Sequence, residues 1–126
     1  MPASASTALV RLLAITSLCA PQLLAQNDRR PESFQLAIGM QQRGLHEEAA
    51  TYLTRFVKED ARHALVPEAY YRLAQSRMEL RETDAAIACF REALKLGGKQ
   101  FALRPEAQYR LGNLLQTKGD NQAALP

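Results

Sequence analysis

The sequence predicts an all-α fold made of antiparallel helix hairpins, about two and a half of them, stacked as repeats. Two observations carry that expectation. Landmarks recur at spacings of 37 and 38 residues: Leu36, Leu73 and Leu111; Ala37, Ala74 and Gly112; Ala49, Ala86 and Ala124. Aromatic residues hold the same register as Phe34, Tyr71 and Tyr109. A period shared by several landmarks is the signature of a repeat array, in which one unit cannot bury its apolar face without its neighbours.

The N-terminal segment differs from the rest. It carries one charge, Arg11, then the apolar run from Leu12 to Ala20, Pro21, and Leu23-Leu24-Ala25 before the polar Gln26-Asn27-Asp28-Arg29-Arg30. A basic start, a short apolar stretch and a small residue before a polar sequence describe a secretory signal peptide. Cleavage is expected after Ala25, with Ala20 as second choice, so residues 1–25 are read as signal peptide and residues 26–126 as the helical repeat domain. The apolar run is about half of the roughly 20 residues a membrane-spanning helix needs, so no span is expected after cleavage. Lipidation of Cys19 is disfavoured, because Leu18 stands where a small residue would precede a lipidated cysteine.

The first repeat, residues 30–63, reads as a helix from Ser33 to Arg43, a Gly44-Leu45 turn and a helix from His46 to Glu59. In the second, residues 67–100, Pro67 suits the start of a helix, where its missing N–H costs nothing. Glu68 favours the positive end of the helix dipole. Tyr70, Leu73, Ala74 and Met78 then follow at helical spacing. Arg81-Glu82-Thr83 is the expected turn, with Thr83 or Asp84 capping a helix whose stripe is Ala86, Ile87, Phe90, Ala93 and Leu94. Gly97-Gly98 closes it, since glycine readily takes the left-handed conformation. The third repeat, residues 105–126, opens at Pro105-Glu106, is expected to turn at Lys118-Gly119-Asp120, and stops within its second helix. Small residues let paired helices approach, so Ala37 is expected to face Ala49, Ala74 to face Ala86, and Gly112 to face Ala124.

Composition narrows the function. Hydrophobic residues make up 47% and charged residues 23% of 126 residues, values of an ordinary globular chain. Sixteen basic and thirteen acidic residues give a formal charge of +3 with no run of one sign. That pattern is a solvated helical surface, and nucleic acid is not an expected partner. His46 and His63, the only imidazoles, have no nucleophile or carboxylate motif beside them, which argues for surface histidines. Cys89, on an Ala-rich helix, reads as a buried inert thiol. It is also the only cysteine beyond the signal segment, which leaves no intramolecular disulfide. Lys99 follows Gly97-Gly98 but lacks the strand before and helix after that a phosphate loop needs. No catalytic residue, cofactor or metal is expected.

At this point Tyr70-x2-Leu73-Ala74 and Ala86-x3-Phe90-x2-Ala93 resemble the tetratricopeptide repeat. The first repeat departs from that pattern with Leu53 and Phe56 in its last two places, and the third lacks the leading aromatic. The spacing also exceeds the family's usual period of about 34. The Ala107-x3-Leu111-Gly112 phrase and the longer turns are similar to repeats of bacterial envelope proteins, such as the coordinator of the Tol-Pal system and the lipoprotein of the outer-membrane assembly machine. The resemblance implies a right-handed superhelix whose first helices line a peptide-binding groove. Carried onto this sequence, the groove comprises Phe34, Ile38 and Gln41, then Tyr71, Gln75 and Met78, then Tyr109, Asn113 and Gln116. Rings would supply apolar area and amides would pair with a peptide backbone. The alternative is that these rings are ordinary packing between repeats.

The resulting expectation is an exported, non-catalytic scaffold that binds a protein or peptide partner, located in the periplasm or at the outer membrane. A second reading makes the chain the N-terminal repeat region of a longer exported enzyme or receptor. A third makes it a binder of peptidoglycan or a membrane surface. Because the third hairpin stops early, the chain is expected to be a piece of a longer repeat protein; the other option is a short form that self-associates through its C-terminal repeat edge. Two and a half repeats lie near the minimum of about three, so marginal stability is expected.

Overall fold

A computed structural model describes residues 30–123, with side chains as far as Asp120. The expected signal peptide and Ala124 therefore lie outside the described residues. The repeats form one unit, Glu32–Pro126. It is all-helical: α1 (Glu32–Gln42), α2 (His46–Glu59), α3 (Val66–Glu79), α4 (Thr83–Gly97), a 3-10 turn (Gly98–Gln100) and α5 (Arg104–Ala123). Each helix packs on the next in sequence, and α3 also touches α1, so hairpins α1/α2 and α3/α4 stack with α5 beyond them.

The repeat is written into the backbone hydrogen bonds. After α1, Gly44 N–H donates to Met40's neighbour Gln41 and Leu45 N–H reaches back to the Met40 carbonyl, at 3.0 and 2.9 Å. After α3, Arg81 N–H donates to Met78 and Glu82 N–H to Arg77, both at 2.9 Å. This paired closure satisfies the last carbonyls of a helix through one left-handed residue. Gly44 supplies it at φ 78° and Arg81 at φ 61°. Ala49 and Ala86 then make the same bond four residues back, to Leu45 and Glu82. The expected caps Thr83 and Asp84 are not used: Glu82 occupies the cap position of α4, and its carboxylate accepts from Arg77 at 2.6 Å rather than capping the helix. The backward closure already orients the incoming chain.

Gly97-Gly98 ends α4 as expected, with Gly98 at φ 63°. Gly97 is needed for a different reason. A Cβ there would lie 2.6 Å from the Cβ of Phe101, so only a bare backbone fits.

The expected turn at Lys118-Gly119-Asp120 does not form. α5 continues through all three residues as one helix of 20 residues, and Gly119 is not among the positive-φ residues. In the first two repeats the turn is reinforced by a returning helix that buries Ala49 and Leu53, or Ala86 and Phe90. Gly119 alone costs a helix about 1 kcal/mol, less than abandoning its hydrogen-bonded ladder.

Two clusters form the core. Phe34, Leu53, Phe56, Val66, Ala69 and Leu73 knit α1, α2 and α3. Tyr71, Ala74, Phe90, Ala93 and Ala107 knit α3, α4 and α5. Ala37, Ala49, Ala74 and Ala86 are all fully buried, whereas Gly112 is exposed. Burial of the period-defining leucines depends on the preceding hairpin: Leu73 is 5% exposed against α2, while Leu36 in α1 is 44% exposed. Leu111 and Leu114 pack against the second cluster rather than lying bare.

Candidate functional site

The first helices of successive hairpins, α1, α3 and α5, were expected to present the nine groove residues on one face. The structure distributes them in three ways. Phe34 is wholly buried, its ring 5.5 Å from that of Phe56. Tyr71 is 6% exposed, with its ring 5.7 Å from Phe90 in an edge-on arrangement. These two rings are core, and the packing alternative describes them; each lies between its own second helix and the next hairpin. Ile38 and Met78 are half-buried against the two clusters. Tyr109, Asn113 and Gln116 are exposed on α5.

Gln41 and Gln75 do come together, in a cleft of about 280 Å³ between α1 and α3 that is also lined by Gln42, His46, Arg72 and Glu79. The Gln41 amide nitrogen donates across the cleft to the Arg72 carbonyl at 2.6 Å and to the Ser76 hydroxyl at 2.7 Å. Both amide hydrogens are then engaged, leaving the Gln41 oxygen as an acceptor. The Gln75 amide donates to the Tyr71 hydroxyl at 3.3 Å. Arg72 is held by Glu68 one turn earlier at 3.0 Å, and its guanidinium lies 5.9 Å from the centre of the Phe34 ring. Gln42, His46, Arg72 and Glu79 were missed from the sequence. Gln42 and Glu79 are one period apart, and that register was the signal that could have found them.

The Arg72 device is repeated. One period later Arg110 is bound to Glu106 at 2.7 Å and interacts with the Tyr71 hydroxyl, the counterpart of Phe34. Burial works against the Arg110 charge, but Glu106 and Tyr71 outweigh it and raise its basicity. Arg72 therefore lies over the Phe34 ring and Arg110 meets the Tyr71 hydroxyl, each charge offset by a carboxylate one turn back on its own helix.

The remaining singled-out groups have structural surroundings. His63, in the α2–α3 loop, accepts the Leu65 N–H on Nδ1 at 3.0 Å and sits edge-on to Phe56 at 5.5 Å. The Nδ1 of His46 is buried with no hydrogen-bond partner. Cys89 is half-buried, and burial pushes its thiol pKa up despite the nearby Arg77. A larger cleft of about 470 Å³ lies between the α2–α3 loop and the connection after α4, with His63, Pro67, Leu96 and Phe101 on its walls. It holds no convergent set of polar groups.

Helix hairpins at this period, pinned by the same turn and the same inter-repeat arginine, define a stacked-repeat protein of the interaction-scaffold class. The model of the tetratricopeptide repeat family matches residues 34–95 and again residues 71–126, the second match starting one period after the first. The chain belongs to the tetratricopeptide repeat family. A search of curated proteins returns no match.

Proposed function

We propose that this chain is an exported scaffold of the periplasm or cell envelope that holds an extended segment of a partner protein along the α1/α3 cleft, without doing chemistry on it. The observation that carries the reading is the amide lining of that cleft. The Gln41 and Gln75 amide oxygens and the exposed Gln42 amide are hydrogen-bonding groups on the two walls of the cleft, which suits a peptide backbone more than a charged ligand. Arg72 is already balanced by Glu68, so the cleft has no free cation to grip a terminal carboxylate. Repeats of this family act as protein-binding scaffolds, and the apolar N-terminal segment ending at Ala25 supports export.

The two halves are tested separately. A photo-crosslinking residue at Gln42 or Gln75 is expected to yield a partner adduct in envelope preparations, while the same residue at Ala88, on the exposed side of α4, yields none. Equal adducts from all three positions would sink the cleft. A reporter enzyme active only outside the cytoplasm, fused after Asp120, is expected to be active; activity that survives deletion of residues 1–25 would remove the export reading.

A further inference from the structure

The α1/α3 cleft carries one charge that the fold leaves unanswered. Arg72, Gln75 and Glu79 fall on one face of α3 across two helical turns, about 10 Å along its axis, and all three line the cleft. Arg72 is balanced by Glu68 at 3.0 Å. The Glu79 carboxylate, exposed at the far end, has no ion-pair or hydrogen-bond partner among the described residues. Arg77, the basic residue in the last turn of α3, is committed to Glu82 at 2.6 Å.

Neither the helix nor the repeat requires that carboxylate. Glu79 is the last residue of α3, where the partial negative charge of the helix dipole disfavours an acid. Gln42, one period earlier in α1, and Thr117, one period later in α5, hold the same place without charge. Glu79 is thus an unpaired anion on the wall of a cleft whose other polar groups are amides, an imidazole and a balanced arginine.

We propose that Glu79 selects the partner: the extended segment held in the α1/α3 cleft carries a lysine or arginine whose cation pairs with the Glu79 carboxylate. The inference rests on the cleft being the binding site. Amides meet the peptide backbone, which every segment has, and so do not tell one sequence from another. A carboxylate at one end of the cleft supplies that discrimination, since it attracts a basic side chain and repels an acidic one. An ion pair this exposed is weak and screened by salt, so the preference it gives is modest, about two- to fivefold.

The probes are biotinylated heptapeptide pools, randomised except for a central residue fixed as Lys, Arg, norleucine or Glu. Each is offered at equal concentration to the chain carrying a photo-crosslinking residue at Gln42. The Lys and Arg pools are expected to label about two- to fivefold more strongly than the norleucine and Glu pools, and the difference is expected to shrink from about 0.05 M to about 1 M salt. Glu79→Gln is expected to bring the pools level, and Glu79→Lys to make the Glu pool the strongest. Glu59→Gln, which removes the last carboxylate of α2 outside the cleft, leaves the basic preference in place. Glu79→Gln is expected to melt no lower than wild type, because it relieves the helix end of a like charge. Equal labelling by all four pools, above the level seen from Ala88, overturns the role of Glu79 and leaves the cleft standing. A basic preference that survives Glu79→Gln overturns it too. Labelling no stronger than from Ala88 with every pool removes the cleft and this inference together.

Discussion

Gln41 of α1 and Ser76 of α3 are joined by a hydrogen bond of 2.7 Å, and Ser76 is completely buried. The same amide also binds the Arg72 carbonyl, so one side chain of the first repeat fixes the register of the second. A buried hydroxyl deprived of its partner costs about 1–3 kcal/mol. Gln41→Ala is therefore expected to lower stability by about that amount, and Gln41→Ala combined with Ser76→Ala by less than the sum of the two single changes. Urea denaturation of the four proteins checks it; strict additivity would show that the bond contributes nothing.

Arg81 adopts the left-handed conformation that Gly44 adopts one period earlier. A side chain in that region costs about 1–2 kcal/mol, part of which glycine returns through its larger unfolded-state entropy. Arg81→Gly is expected to stabilise the chain by roughly 0.5–1 kcal/mol, although Arg81 itself is exposed. Gly44→Ala is expected to destabilise by a similar amount. Thermal melts of both variants decide the matter, and a loss of stability in Arg81→Gly would contradict it.

Gly97 is set by contact rather than by φ. Its missing Cβ leaves the space in which the Phe101 side chain begins, and the clash involves the Phe101 Cβ and Cγ rather than a mobile tip. Gly97→Ala is expected to cost about 1–3 kcal/mol, the usual penalty of overpacking. A Phe101→Ala partner change is expected to recover part of that loss, measurable as a shift of the denaturation midpoint back toward wild type.

Cys89 and Tyr70 both have pKa values raised, each first by burial. The folded chain then holds these protons more tightly than the unfolded one. Their contribution is fully present below the ordinary thiol value of 9.0, falls as pH climbs through the Cys89 range, and falls again above the ordinary tyrosine value of 10.0. Stability is expected to decline on the alkaline side, with Cys89→Ser removing the earlier part of the decline. Folded Cys89 is expected to alkylate more slowly than a free thiol at the same pH. Reaction at the free-thiol rate would refute the shift.

The hairpins were readable from the chain because their signals are local. The starts near Pro67 and Pro105, the Gly44 turn and the Gly97-Gly98 stop match α3, α5, the first closure and the end of α4. Arg81 was harder to read as a left-handed residue, since nothing in arginine prefers that conformation; only its register with Gly44 points to it. The groove was legible in part. The family resemblance assigned Gln41 and Gln75 to one face, and they line one cleft, but it could not separate a ring that faces outward from one covered by its own second helix, as Phe34 and Tyr71 are.

What the sequence determined by itself is the period, the helices and their pairing, because i to i+4 hydrogen bonding and apolar spacing act within a few turns of chain. Tertiary structure decided the rest. It made Leu73 core and left Leu36 half in solvent, it closed the chain at Arg81 but carried α5 straight through Gly119, and it buried Tyr71 while exposing Tyr109. The physical reason is the same in each case: equivalent residues in a repeat share a conformation, but their burial depends on the neighbouring helix that is there to cover them.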